Sequence, residues 1–475
     1  SLPEEKIFSI KGIGDAMGKK IIEIRQSGNL NALETYLQKT PAGILEMLNI
    51  KGLGPKKIAV IWKEMGLETI GELLYACNEN RLLLFKGFGE KTQQNVKTYI
   101  EFYLRSKGSY LYAGIESYAL DMQQQLRQLL PHCRFEHTGA FARQLETIDK
   151  LEWVTTAAVD TLEQALSAPS FSLIEKNGSG ISFKTEDNIT LIFYTAGDEN
   201  FGSVLFHTRC SGTFLNEWEK RFPSTAIYST EEEVFKAAGL PYILPCLREK
   251  ETILSSAANN SLPQVIRQED IKGIIHSHSN WSDGRQSIEE MANAAIEKGF
   301  EYIVISDHSK SAFYANGLFE DRIKEQHLYI DTLNEKLHPF KIFKSIEADI
   351  LNDGSLDYNN AVLSTFDLVI ASVHSNLKMA EEKAMMRLLA AIQNPYTTIL
   401  GHMTGRLLLS REGYPVDHKK IIDACLEQDV VIELNAHPRR LDIDWRQIGY
   451  ALEKGVLISI DPDAHHTDGY NDIRY

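Results

Sequence analysis

The sequence predicts a multidomain protein of α and α/β structure, with a helical first part, an α+β middle and a barrel of parallel strands at the end. Three observations predict this class: a Lys-Gly-apolar-Gly turn that occurs three times before residue 107, mixed strand and helix patterns in the middle, and seven apolar runs beyond Asp270 that end in His, Asp or Glu. The 475 residues suit about three domains of ~150 residues. We place their boundaries at 1–107, 108–255 and 256–475.

The composition, 43% hydrophobic and 24% charged, is typical of a soluble globular protein and excludes a disordered tail, a collagen-like fibre and a small disulfide scaffold. The five cysteines form no CxxC pair, which indicates reduced thiols. No run of ~18 apolar residues and no signal peptide is visible. We therefore expect a cytoplasmic protein without a membrane partner, and a monomer is compatible with the sequence.

The net charge of −15 argues against a nucleic-acid partner until it is divided along the chain. Residues 1–107 contain 16 Lys and Arg against 12 Asp and Glu, a net charge of +4, which leaves −19 for the remainder. Eleven of the 14 histidines lie beyond residue 270. The sequence therefore combines a mildly basic head with an acidic, histidine-rich tail.

The basic head repeats one turn in the segments 10–24, 50–62 and 85–100. In each segment a glycine pair precedes a helical pattern with early lysines, so free helix N–H groups point into the turn and can hold a phosphate. The glycines are Gly12, Gly14, Gly52, Gly54, Gly87 and Gly89, and the lysines are Lys19, Lys20, Lys56, Lys57 and Lys91. The pattern resembles the helix-hairpin-helix DNA-binding motif, whose backbone contacts are independent of base sequence. For a single copy, the alternative is a glycine turn in a helical bundle.

The middle, from about residue 108 to 248, alternates helix-like and strand-like stretches. YALDMQQQLRQLL has a helical pattern, and LEWVTTAAV, ISFKT and ITLIFYTA are typical of strands. TEEEVFKAAGLPYILP follows them. The sequence therefore predicts an α+β domain here.

The tail repeats an apolar run, a polar end and a helical pattern at steps of 27–39 residues, close to the ~30 residues of a strand-helix unit. Seven such units predict a distorted (β/α)7 barrel, in which polar strand ends converge on one cleft. The chain stops ten residues past His465, so we expect the natural protein to extend beyond Tyr475, and beyond Ser1 as well.

The first strand end of the tail reads His276-Ser277-His278, followed by Asp283. In an extended strand, His-x-His places both imidazoles on one face, and the next loop can return Asp283 to them. A lone histidine is more often a hydrogen-bonded core residue. Burying so many ionisable groups without a cation costs too much free energy, so the pattern indicates a metal site. Mixed imidazole and carboxylate donors favour Zn²⁺, Mn²⁺ or Fe.

The order of hairpins, middle domain and histidine-rich tail resembles the bacterial family X DNA polymerases, which carry a C-terminal polymerase-and-histidinol-phosphatase (PHP) domain. The resemblance implies a helix-hairpin-helix region, a nucleotidyltransferase-like palm and thumb, and a PHP barrel. It further implies nine ligands for three divalent ions: His276, His278, Glu347 and Asp463 for one, Asp283, His308 and His465 for another, and His374 and His402 for the third, with Glu347 bridging.

The palm departs from the family pattern. Where the family has a Gly-Ser turn, two arginines and an Asp-x-Asp pair, this chain has Ala140, Ala142 and Lys150-x-Glu152, and no acid lies within 189–193. Nucleotide addition needs carboxylates that clamp two Mg²⁺, and a lysine ammonium offers no lone pair. We therefore predict that polymerase activity is lost; the alternative is an active polymerase with unusual ligands.

Three cations, Arg406, Lys310 and Arg440, are candidate catalytic residues because each is able to clamp a phosphate oxygen. For each of them a surface charge or a barrel salt bridge is the alternative. Asp307 and Glu433 are expected to orient ligating histidine rings.

These features predict a metal-dependent phosphodiesterase acting on DNA. The resemblance implies a 3′–5′ exonuclease in DNA repair. The alternatives are an active bifunctional polymerase and exonuclease, a small-molecule phosphatase of the PHP type, which has no use for the hairpins, and a non-catalytic DNA-binding protein.

Overall fold

The structure is a computed structural model that describes residues 7–8, 13–50, 52–105 and 108–475. Among the helices of these residues, none combines the length and the apolar character that crossing a membrane requires. Gly12, one of the predicted DNA-binding glycines, lies outside the described residues.

The first region is helical, as predicted. Its helices are α1 (Asp15–Ser27), α2 (Asn31–Lys39), α3 (Ala42–Met47), α4 (Pro55–Lys63), α5 (Ile70–Asn78) and α6 (Glu90–Arg105), with a 3-10 turn at Arg81–Leu84. Met47, Ile61, Leu73 and Ile100 are fully buried and form the centre of its hydrophobic core. Apolar side chains on one face of each short helix therefore hold the hairpins in place.

The glycine turns adopt the conformations that the motif requires. Gly52 and Gly87 have φ of +95° and +97°, a region that side chains with a Cβ rarely enter. Gly54 and Gly89 directly precede α4 and α6, and Pro55 occupies the first position of α4, where its missing N–H costs nothing. Helix N-termini consequently follow both turns.

The middle of the chain is an α+β unit followed by a group of helices. Its elements are β1 (Tyr110–Leu111), α7 (Tyr112–Leu129), β2 (Phe135–Thr138), α8 (Gly139–Ala142), β3 (Thr147–Ile148), β4 (Lys150–Thr155), α9 (Val159–Ala165), β5 (Phe171–Asn177), β6 (Gly180–Thr185), β7 (Thr190–Thr195), α10 (Phe201–Arg209), α11 (Gly212–Arg221), α12 (Glu231–Ala237) and α13 (Thr252–Ala258). The main sheet has the order β2-β4-β7-β6-β5, in which only the β4–β7 pair is parallel. Trp153 and Phe193 stack in its core.

The last region is a parallel barrel. Its elements are β8 (Gly273–Ser277), α14 (Ile288–Glu297), β9 (Tyr302–Ile305), α15 (Glu320–Leu337), β10 (Lys341–Asp349), α16 (Asn360–Leu363), β11 (Leu368–Ser372), α17 (Glu381–Ile392), β12 (Ile399–Leu400), α18 (His418–Gln428), β13 (Val431–Asn435), α19 (Trp445–Lys454) and β14 (Ile458–Asp461). The seven strands follow one another in sequence order, and a parallel bridge between Ser277 and Ala464 joins the two ends of the sheet.

The predicted fold class is therefore confirmed, including the seven strands of the barrel. Separate hydrophobic clusters lie within residues 44–104, 110–193, 206–262 and 271–473. The middle thus holds two cores, one under the sheet and one among the helices. The boundaries at 107 and 255 stay predictions: no cluster crosses 107, but the cluster within 206–262 crosses 255 through Leu254 and Ala257.

Candidate metal centre and its surroundings

The barrel brings all nine predicted ligands together at the carboxyl ends of its strands. His276 lies in β8 and Glu347 in β10, and the others follow strand ends. The remaining seven are His278, Asp283, His308, His374, His402, Asp463 and His465. All nine side chains are at most 8% exposed. Parallel strands that end in the same cleft explain how residues spread over 190 positions meet.

Glu347 is the hub of the cluster. Its Oε1 lies 2.9 Å from His402 Nε2, 3.0 Å from His374 Nε2 and 3.3 Å from His276 Nε2. Its Oε2 lies 2.9 Å from His308 Nδ1 and 3.7 Å from His278 Nε2. One carboxylate thus faces five imidazoles, an arrangement suited to a bridging ligand.

A second carboxylate, Asp283, lies near three histidines on the other side of the cluster. Its oxygens lie 3.4 Å from His465 Nε2, 3.6 Å from His308 Nε2 and 3.9 Å from His278 Nδ1. Asp463 Oδ1 lies 3.2 Å from His278 Nε2. The loop after β8 therefore returns Asp283 to the imidazoles, as the sequence predicted.

The donors fall into four compact groups: His278, Asp283, His308 and His465; His276, His278 and Asp463; His276, Glu347 and His402; and His308, Glu347 and His374. The second of these overlaps the first predicted ion site, and the first contains the whole second site. His374 and His402 share Glu347 but fall into different groups. The partition among three ions stays a prediction.

The donor atoms fit a set of cations. His276 Nε2, His278 Nε2, His465 Nε2 and Glu347 Oε2 are buried without a hydrogen-bond partner among the described residues. Buried polar atoms without partners are rare in folded proteins, and here they face one another. Imidazole and carboxylate donors at this density are the ligands of Zn²⁺, Mn²⁺ or Fe.

The carboxylates change the protonation of the imidazoles in the metal-free protein. Burial opposes the charged form of His374, but Glu347 and Asp349 outweigh it and raise the pKa of His374 to about 10. Burial likewise opposes protonation of His465, whose pKa Glu79 and Asp283 raise to about 10. Protons thus occupy part of the space that cations fill.

Carboxylates outside the nine orient two of the rings. Glu433 Oε2 lies 2.5 Å from His276 Nδ1, and Asp349 Oδ1 lies 2.6 Å from His374 Nδ1. Each carboxylate occupies Nδ1 of its histidine and leaves Nε2 to bind a metal ion, the usual role of a carboxylate behind a metal-binding imidazole. Sequence reasoning missed Asp349, although its spacing of two from Glu347 places it on the same face of β10.

Two expectations need correction. Asp307 contacts no imidazole in the described hydrogen bonds; it accepts from the Ser279 backbone, the Ser282 hydroxyl and Gln326, so it holds the loop before Asp283. The second expectation was that an extended strand places the His276 and His278 rings on one face. His276 has a φ of +55° at an irregularity in the β8–β9 pairing, so regular strand geometry does not set the direction of its side chain.

The three candidate cations differ in their surroundings. Arg406 donates to Asp444 and to Glu146 of the palm, and Lys310 pairs with Glu320 at 2.7 Å. These ion pairs do not favour a phosphate contact for either. Arg440 lies 3.5 Å from Asp463 and remains a candidate.

The helical region contributes side chains that sequence reasoning missed. The Tyr75 hydroxyl lies 3.4 Å from Asp463 Oδ2 and accepts from Arg440 Nη2 at 2.8 Å. Glu79 Oε1 lies 3.9 Å from His465 Nδ1 and pairs with Arg81 at 3.1 Å. More than 350 residues separate Tyr75 and Glu79 from their partners in the barrel, so no local pattern indicates these contacts.

In the palm, Glu152 has no acidic neighbour at the predicted positions. Lys150 Nζ lies 2.9 Å from its carboxylate, and the Tyr194 hydroxyl donates to it at 2.8 Å. Ile192 is its partner on the parallel strand β7. Asp149, the acid that directly precedes Lys150, accepts a hydrogen bond from the Ser109 hydroxyl at 2.6 Å.

The lysines of the hairpins lie on the surface beside the turns. Lys56, Lys91 and the α1 lysines Lys19 and Lys20 are exposed. Lys57 differs, since its Nζ donates to the Gly52 carbonyl at 3.3 Å and so supports the turn. Gly14 directly precedes α1.

Comparison with known proteins agrees with this architecture. Residues 275–437 match the PHP domain and residues 44–98 match the SAM-like helix-hairpin-helix tandem. The chain is 32% identical to the DNA polymerase/3′-5′ exonuclease PolX of Bacillus subtilis, over 99% of this chain and 86% of that protein. The chain belongs to the bacterial family X DNA polymerases with a C-terminal PHP domain.

As a family X chain it is an enzyme with a PHP phosphoesterase domain. The chain is also similar to a probable phosphatase of Caldanaerobacter subterraneus, 30% identical over 40% of this chain and 74% of that protein. The probable phosphatase YcdX of Escherichia coli O127:H6 is 25% identical over 40% of this chain and 77% of its own. Seven of the nine candidate ligands lie within the PHP match, and Asp463 and His465 follow it.

Proposed function

We propose that this protein is a metal-dependent phosphodiesterase that removes nucleotides from DNA 3′ ends, in the service of DNA repair. The observation that carries the proposal is the convergence of nine buried donors in a chain that also holds DNA-binding hairpins. The name of the Bacillus subtilis relative, similar over nearly the whole chain, supports the 3′–5′ direction.

The hairpins and the candidate metal centre adjoin each other. A cleft of about 840 Å³ has Lys91, beside the third turn, on one wall and Asp283 and Arg285 on another. A DNA strand bound by the turn at Gly87 and Gly89 therefore lies close to the candidate metal ligands. This placement favours a DNA substrate over a small phosphate ester.

Divalent cations bound in this site would activate a water molecule and neutralise the phosphoryl oxygens. The residues of the chain hold and orient them. Glu347 faces five imidazoles, and Glu433 and Asp349 fix the rings of His276 and His374. Arg440, clamped by the Tyr75 hydroxyl beside Asp463, adds positive charge at the edge of the site.

The test is to incubate a duplex labelled at its 3′ end with Mn²⁺ and the wild type or a His276→Ala, His278→Ala variant. We expect mononucleotide release by the wild type and its loss in the variant. A variant at two exposed positions, Glu427→Ala and Glu453→Ala, serves as the matched control. Phosphate release from histidinol phosphate with intact DNA contradicts the proposal and supports a small-molecule phosphatase.

We further propose that the palm does not polymerise. Glu152 is the only acid at the family positions, and Lys150 and Tyr194 already engage it. One carboxylate paired with an ammonium does not hold two Mg²⁺. Primer extension on a gapped duplex with Mg²⁺ or Mn²⁺ is expected to yield no product, and template-dependent extension contradicts this proposal.

A further inference from the structure

The helical region forms one wall of the candidate metal centre. Thr69 bonds Ser410 at 2.8 Å, Glu72 pairs with Arg411 at 2.7 Å, and Glu68 pairs with Lys378. Together with the Tyr75 contact to Asp463, these bonds hold α5 and the following turn against the mouth of the barrel. The helical region is therefore part of the site as well as a DNA-binding module.

A second cleft, of about 490 Å³, opens between this wall and the barrel and reaches His374. Its volume falls in the range of about 300–1,000 Å³ that is usual for sites of small molecules and cofactors. The cleft at Lys91 reaches Asp283 instead, so the two clefts approach different donor groups of the same ligand set.

The linings of the two clefts differ in chemistry. Phe85, Phe313 and Tyr314 line the cleft at His374, whereas the described residues around the cleft at Asp283 include no aromatic side chain. Phe313 is 82% exposed, which is unusual for a phenylalanine at the rim of a site. An aromatic face beside bound phosphate is the arrangement on which single-stranded bases stack.

Arg81 contributes a positive charge to this cleft, whose lining also includes Lys378 and Arg411. The guanidinium of Arg81 lies 4.7 Å from the centre of the Tyr314 ring, and its buried Nε has no hydrogen-bond partner among the residues that the structure describes. The acids Glu68 and Glu72 of the same lining are paired with Lys378 and Arg411. Arg81 pairs through Nη2 with Glu79, which lies outside the lining, so its Nε is the donor left for a phosphate, and the third acid of the lining, Glu64, is exposed.

We propose that this cleft is the subsite for the terminal nucleotide of a DNA strand, with Phe313 stacking on the base and Arg81 contacting a phosphate. The inference rests on the proposed function and extends it. The strand enters along Lys91, its last phosphodiester lies over the ligand set, and the terminal nucleotide occupies the cleft at His374. The terminal nucleotide is thus held by both the barrel and the helical region.

The experiment compares Phe313→Ala with Phe319→Ala, a matched control at a neighbouring phenylalanine that is 56% exposed and outside the cleft lining. The probe is a fluorescently labelled twelve-residue oligothymidylate, bound to the metal-free protein and measured by anisotropy. Loss of one stacking contact is expected to weaken binding about tenfold in Phe313→Ala and to leave Phe319→Ala unchanged. Phe313→Trp is expected to restore binding and to show quenched fluorescence on adding the probe.

Arg81→Gln is expected to lower the slope of log affinity against log salt by about 0.7, the contribution of one phosphate contact to a single strand. Equal binding by Phe313→Ala, Phe319→Ala and the wild type overturns the proposal, as does equal weakening in both variants. Binding to the metal-free protein keeps this test separate from the proposed function. A wild type that binds through Phe313 but cleaves no DNA with Mn²⁺ refutes the exonuclease and leaves the subsite standing.

Discussion

Replacing Glu433 with glutamine tests whether the carboxylate behind His276 sets the metal affinity. Three donors converge on its two oxygens: His276 Nδ1 at 2.5 Å, the His402 backbone N–H at 3.0 Å and Asn435 Nδ2 at 2.8 Å. Glutamine offers one oxygen and an NH₂ group, so at least one of these N–H groups then faces another donor. If that group is His276 Nδ1, the ring loses the partner that leaves Nε2 free for metal.

We expect Glu433→Gln to weaken metal binding by about 10–100-fold, the usual cost of removing such an outer partner, or about 1.4–2.7 kcal/mol. Competition with a chromogenic chelator measures the affinity for Zn²⁺ or Mn²⁺, and elemental analysis gives the number of ions retained. Glu453→Gln, on the exposed face of α19, is the control. An affinity within twofold of the wild type would falsify the role assigned to Glu433.

Three further predictions follow from the charges described above. Neighbouring carboxylates raise the pKa values of His374 and His465 to about 10 and that of His276 well above its usual range, and metal ligation requires neutral rings. Metal binding at pH 8 is therefore expected to release about three protons, which titration calorimetry in buffers of different ionisation enthalpy measures; release of none contradicts the assignment. Lys56→Ala combined with Lys91→Ala is expected to reduce the salt slope of duplex binding by about 1.8, and an unchanged slope excludes these contacts. Arg406→Gln is expected to lower the melting temperature, because it removes an ion pair between palm and barrel, and an unchanged melting curve argues against that role.

The sequence predicted the barrel and the convergence of the nine candidate ligands because both have a short-range signature. Each strand is an apolar run, and each ligand lies at or just beyond its end, so topology alone brings His276 and His402 together. The hairpin turns could also be predicted, because a backbone position with positive φ, such as Gly52, favours glycine, and the glycine is visible in the sequence.

The side-chain contacts between domains could not be predicted from the sequence. Tyr75 reads as a core residue of an amphipathic helix, and only the docking of that helix on the barrel places its hydroxyl beside Asp463. The same holds for Arg406, which the motif around it offered as a phosphate contact and which pairs with the palm instead. Side-chain partners hundreds of residues apart depend on how whole domains pack, and periodicity carries no information on that.

The ion pair between Arg406 and Glu146 also bears on how the palm evolves. An enzyme domain that has lost its chemistry is normally free to accumulate substitutions or to disappear. Here Glu146 on the palm surface binds Arg406 of the barrel, a half-buried arginine that also pairs with Asp444. If the palm does not polymerise, as proposed, its outer surface still has a role, because Glu146 holds an arginine of the barrel in place.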